Sequence, residues 1–183
     1  SFQRGQLTLT LDVAHNEQAA AYIGQKLNHV DGIVLGMLAD KEPEKLAMLH
    51  ISRDKTERRF TFKDMKKASN QAANYFKSLG IKKGDRVMLI LKRHYQYWFA
   101  MLGLNKLGAI GIPAPNQLLE HDLEYRFNAA GVKAILCTTD GDVANQVDIA
   151  AEKAPSLTIK IAVGEEREGW RNYDEESRLF SSH

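Results

Sequence analysis

The chain has 183 residues, of which 44% are hydrophobic and 26% charged, so it can bury a core and is not disordered by composition. Its 25 Lys and Arg against 23 Asp and Glu leave a net charge of +2, too small to indicate a nucleic acid or an acidic membrane surface as partner. One cysteine, Cys137, excludes an internal disulfide; no apolar run approaches the ~18–20 residues of a membrane helix, and Ser1–Val13 lacks a secretory pattern, so a cytoplasmic setting is expected.

Residues 1–40 read as a helical lead-in, with helices over His15–Leu27 and Ile33–Leu38. Residues 46–62 read as a β-hairpin. Leu46–Ile51 and Arg58–Phe62 are its strands, and the polar spacer Arg53-Asp54-Lys55-Thr56-Glu57 is its loop. Lys63–Leu79 is the clearest helix, with Met65, Ala68, Ala72, Tyr75, Phe76 and Leu79 on one stripe. Thr61 and Asp64 form a capping pattern before it, and Gly80 stands where a left-handed cap belongs. Phe76 is expected in the core.

An α/β core then runs from 63 to 163. Strand and helix alternate from Asp85 onward: Arg86–Leu91, Tyr95–Leu107, Ala109–Ile112, Leu119–Ala130, Ala134–Cys137, Val143–Ala154 and Thr158–Val163. Strands apolar on both faces, separated by helices, predict a mostly parallel sheet of about four strands with helices on both faces. Residues 164–183 carry six acids against three arginines between Glu165 and Arg178, and read as an acidic tail or linker.

Catalytic patterns are sparse. There is no G-x-x-x-x-G-K-[ST], no G-x-S-x-G and no H-E-x-x-H. Ser52-Arg53-Asp54-Lys55 matches S-x-x-K, but it falls in a hairpin loop and not at a helix start. Cys137, inside a strand, reads as a small buried residue and not as a nucleophile. Tyr95, Tyr97, Trp98 and Phe99 read as rings packed into a core, and the bases between Arg53 and Lys67 as a solvated face. Position offers more, because ligands of open parallel sheets bind beyond the strands' carboxyl ends. Those ends are Lys92-Arg93-His94, Asn116-Gln117 and Thr138-Thr139-Asp140, candidate polar contacts that form no recognised catalytic set.

A series of short stretches resembles the N-terminal part of the adenylate-forming, AMP-binding acyl-CoA synthetases. It begins at Glu42-Pro43-Glu44-Lys45-Leu46-Ala47 and passes through Arg59-Phe60-Thr61-Phe62-Lys63-Asp64 and Ser69-Asn70-Gln71-Ala72-Ala73-Asn74. Its most recognisable part is Gly80-Ile81-Lys82-Lys83-Gly84-Asp85-Arg86-Val87, and Lys106-Leu107-Gly108-Ala109 and Ile112-Pro113-Ala114 follow in order. Val147-Asp148, Ala154-Pro155-Ser156-Leu157, Lys160 and Gly169-Trp170 resemble the medium-chain branch.

The resemblance implies an enzyme that joins a carboxylic acid to coenzyme A through an acyl-adenylate, using ATP and magnesium. In that family the phosphate loop, the adenine and ribose contacts and the adenylation lysine would fall after His183. The expectation is therefore an N-terminal subdomain, inactive alone, with no catalytic, cofactor-binding or metal-binding residue of its own. Some relatives place bases after the third strand to contact coenzyme A phosphates, whereas Asp140-Gly141-Asp142-Val143-Ala144-Asn145 has none. The expected partner is the downstream part of the same polypeptide, with a homodimer through exposed apolar surface of the 95–107 helix as a second expectation. The alternative is a stand-alone, non-catalytic binding or interaction module on the same scaffold.

Overall fold

A computed structural model describes residues 39–183. The expected helices at His15–Leu27 and Ile33–Leu38, and with them most of the 1–40 lead-in, lie outside the described residues. The hairpin comprises β1 (Leu46–Ile51) and β2 (Glu57–Thr61), paired antiparallel. Its loop turns at Lys55, which adopts φ +66°, and the Asp54 carboxylate accepts the Thr56 N–H at 3.1 Å. Helix α1 (Phe62–Ser78) starts at the expected capping box: Thr61 Oγ1 accepts from the Asp64 N–H, and the Asp64 carboxylate accepts from the Thr61 N–H.

The core alternates as expected: β3 (Arg86–Ile90), α2 (Gln96–Leu107), β4 (Ile110–Pro113), α3 (Glu120–Ala130), β5 (Ala134–Thr138), α4 (Val143–Ala151) and β6 (Ile159–Val163). All pair in parallel, in the order β4-β3-β5-β6, and a fifth strand, β7 (Arg171–Asn172), adds beside β6. The sheet thus has five strands where the sequence suggests four. The fifth has two polar residues, too few for any alternation to mark it.

Successive side chains of β3 point to opposite faces and divide the core. Val87 and Leu89 join Ala72, Tyr75 and Phe76 of α1 and Ala100 and Leu104 of α2. Met88 and Ile90 join Leu123 and Phe127 of α3 and Val143 and Val147 of α4. Phe76 is fully buried, as its stripe requires. Helices α1 and α2 approach closely at Gly103, where an added Cβ would lie 2.8 Å from the Ala72 Cβ.

Residues 164–183 are not a linker. After β7, helix α5 (Tyr173–Ser177) buries Tyr173 against Tyr75 and Phe76. Beyond it the chain runs back along α1, whose amides hold it by its backbone. Asn70 donates to the Ser182 carbonyl, Gln71 to those of Arg178 and Phe180, and Asn74 to those of Ser181 and His183. The sequence hides this because two aromatic anchors, Tyr173 and Phe180, stand among acids.

Candidate functional site

The sheet's topology fixes where a crevice opens. From β3 the chain leaves through α2 on one face; from its neighbour β5 it leaves through α4 on the other. Loops that diverge from adjacent parallel strands leave a gap at their carboxyl ends, the usual ligand position of such sheets. A cleft of about 520 Å³ lies there, lined by His50, Ile51, Ser52, Arg53, Lys92, Arg93, His94 and Asp140.

Two of the three expected strand ends meet in it. His94 Nε2 lies 2.8 Å from Thr138 Oγ1 and 3.4 Å from the Asp140 carboxylate. Thr138 is fully buried, and its Oγ1 also accepts the Asp140 N–H at 3.0 Å. The β5 end thereby orients both the imidazole and the carboxylate. Thr139 serves the neighbouring strand instead: its Oγ1 accepts the Glu165 N–H at 2.8 Å. The third expected end, Asn116-Gln117, does not line the cleft.

The other wall comes from the hairpin, which sequence reasoning did not place here. Phe60 of β2 packs against Tyr95 and Phe99, ring centres 5.1 and 5.3 Å away, and His50 of β1 meets Tyr95 edge-on at 5.3 Å. His50 Nε2 also donates to the Arg93 carbonyl at 2.8 Å. These contacts bring Arg53 over the strand end. Tyr95 and Phe99 therefore pack as expected, whereas Trp98, from the same aromatic cluster, is 53% exposed. The sheet and α1 cover two sides of α2, and Trp98 faces neither.

The nucleophile candidates do not assemble. Cys137 is fully buried, and burial pushes its thiol up to about 12. Ser52 and Lys55 sit in the hairpin turn, where the Lys55 N–H donates to the Ser52 carbonyl and the Ser52 hydroxyl accepts from Arg58. Among the described residues no three His, Cys, Asp or Glu are grouped to hold a metal ion. None of the described helices is long and apolar enough to cross a membrane.

A second charged cluster lies beyond β6. Asp148 of α4 accepts from Lys160 at 2.6 Å, from Arg167 at 2.6 and 2.9 Å and from the Trp170 indole at 2.9 Å. Burial alone would raise its carboxyl, but these hydrogen bonds outweigh it and hold the group below its ordinary value. This knot fastens the 164–170 turn to α4 and so sets up the approach to β7.

Comparison with known proteins agrees with this architecture. The AMP-binding enzyme family matches residues 37–182. Acyl-coenzyme A synthetase ACSM5 of Rattus norvegicus, described as mitochondrial, is 36% identical over 141 residues, covering 76% of this chain and 24% of the relative. Acyl-coenzyme A synthetase ACSM3 of Homo sapiens, also described as mitochondrial, is 34% identical over 139 residues, covering 75% of this chain and 23% of the relative. Among solved structures, the N-terminal domain of FACL13 from Mycobacterium tuberculosis superposes with TM-score 0.71 at 23% identity, covering 83% of this chain and 36% of that one. The chain belongs to the AMP-binding enzyme family. It spans about a quarter of the length of the curated relatives it matches.

Proposed function

We propose that this chain is the amino-terminal part of an ATP-dependent acyl-CoA synthetase acting on medium-chain carboxylic acids, and that it does not turn over alone. The observation that carries the reading is the family match over 37–182 together with relatives named as acyl-coenzyme A synthetases at 34–36% identity. The reaction converts carboxylic acid, ATP and coenzyme A into acyl-CoA, AMP and pyrophosphate through an acyl-adenylate.

The chain's own groups favour a role in binding and framing. Cys137 is buried with its thiol held protonated, so this cysteine is not offered as a nucleophile. In the proposed reaction the carboxylate attacks the α-phosphate and displaces pyrophosphate, and the coenzyme A thiol then displaces AMP. Magnesium would neutralise phosphate charge in the first step. The cleft at the carboxyl ends of β3 and β5 is the surface that would face the reacting groups.

The test is carboxylate-dependent turnover by the whole polypeptide encoded in the reading frame that contains these residues. Octanoate with MgATP and coenzyme A should give AMP and octanoyl-CoA in equal amounts. Residues 1–183 alone should give neither. ADP as product, or no acyl transfer to any carboxylic acid, would overturn the ligase reading. Turnover by 1–183 alone would overturn the inactivity.

A further inference from the structure

We propose that the cleft between the ends of β3 and β5 is a phosphate-binding site built by Arg53, Lys92 and Arg93. The inference deepens the ligase reading by naming the chemistry this cleft accepts, but it is tested by binding and not by turnover.

Charge is the first observation. Three cations from two segments, one in the hairpin and one after β3, line a single concavity with the imidazoles of His50 and His94. The one lining carboxylate, Asp140, is turned toward His94. Among the described residues none of the three cations pairs with an acid. Three neighbouring cations are engaged: Arg59 lies 3.9 Å from Glu57, Lys63 pairs with Glu44 at 3.0 Å, and the Arg58 guanidinium lies over the Tyr95 ring at 5.7 Å. Like charges repel. The aromatic contacts and the His50–Arg93 hydrogen bond nevertheless hold their two segments on the same cleft. An anion would compensate the arrangement.

The number and type of cations select the ligand. Two guanidiniums present planar forks that match phosphate oxygens, and an ammonium adds a third positive point. A single carboxylate would leave most of this charge unmatched. A phosphate ester or a pyrophosphate group would not, and about 520 Å³ accommodates either. The lining offers cations and imidazoles, which match the charge and oxygens of a phosphate group. Because the cations are exposed, the interaction is strongly screened by salt.

The probe is inorganic pyrophosphate, titrated calorimetrically into residues 1–183, with ATP and coenzyme A as parallel arms. Saturable pyrophosphate binding is expected. It should weaken at least about tenfold when ionic strength rises from about 0.01 M to about 1 M, a change that shortens the screening length from about 30 Å to about 3 Å. The combined variant Arg53→Ala/Lys92→Ala/Arg93→Ala should lose it, with an unchanged circular dichroism melt. Lys92→Glu alone should weaken it and serves if the combined variant misfolds. ATP binding no tighter than pyrophosphate supports recognition of phosphate alone, and tighter coenzyme A binding identifies its phosphates as the source. Absence of saturable binding, salt-independent binding, or binding that survives both variants would overturn the proposal, whatever the outcome of the turnover assay.

Discussion

The Asp148 knot and the cleft both gather charge beside the same sheet, and they differ in how that charge is satisfied. In the knot every donor has its acceptor: Lys160, Arg167 and Trp170 all converge on one carboxylate. All three charged side chains there are about 30% exposed. In the cleft Arg53, Lys92 and Arg93 are exposed and have no carboxylate partner among the described residues. Paired, half-buried charge fixes the path of the backbone. Unpaired charge on a fixed concavity is available to a ligand. The two regions therefore separate stability from binding on one scaffold.

The hydrophobic core sets the scale against which both can be ranked. Phe76→Ala removes a fully buried ring and should cost about 3–5 kcal/mol, read as a collapse of the denaturant midpoint. A midpoint near the parent's would show that α1 is misregistered. The knot comes next. Asp148→Asn leaves two cations without their carboxylate and should cost about 2 kcal/mol, since hydrogen bonds to charged groups contribute about 1.5–3 kcal/mol each when lost. It should also loosen β7 and α5, measurable as faster amide exchange across residues 171–177.

Acid titration distinguishes the two regions in another way. Asp148 and Asp85 both have carboxyls held below the usual aspartate value, Asp85 chiefly by the Lys133 hydrogen bond. A depressed folded-state value means the unfolded chain takes up protons first as pH falls. The stability these pairs supply is present above about pH 4 and disappears as pH drops through their folded-state values. Asp148→Asn should flatten that acid-side decline. An unchanged pH–stability curve would remove the knot from the account. The smallest expected effect is at the cleft: Arg53→Ala/Lys92→Ala/Arg93→Ala should change stability by less than about 0.5 kcal/mol, as exposed groups without partners do.

Self-association tests the remaining exposed apolar surface. Trp98 stands beside a hollow lined by Leu91, Tyr97 and Pro113 that shares His50, Lys92, Arg93 and His94 with the cleft, so a copy seated there would compete with an anion. We propose that this surface covers itself in a second copy when residues 1–183 are isolated. Light scattering should then give a dimer that Trp98→Lys returns to monomer, and a parent that is monomeric at high concentration would contradict it.

The sequence carries some of these features openly and conceals others for physical reasons. The α1 stripe and the apolar runs of β3, β5 and β6 are periodic, so their faces and the parallel sheet can be read directly. Loops Lys92–His94 and Thr138–Asp140 are recognisable as strand ends, and the structure joins them through His94. The hairpin's share of the cleft cannot be read in the same way. It depends on Phe60 finding Tyr95, a contact between distant segments that leaves no local pattern. Strand β7 has the same difficulty: Arg171 and Asn172 become a strand only because β6 offers them an edge.

The most direct test crosses the two regions in one experiment. Pyrophosphate affinity and melting temperature are measured for the parent, for Lys92→Ala/Arg93→Ala and for Asp148→Asn. The cleft variant should lose affinity at least about tenfold, equivalent to about 1.4 kcal/mol, and keep its melting temperature. Asp148→Asn should melt several degrees lower, as a loss of about 2 kcal/mol requires in a domain of this size, and bind pyrophosphate like the parent. Loss of affinity in Asp148→Asn with the cleft variant unaffected would contradict the assignment of binding to the unpaired charges.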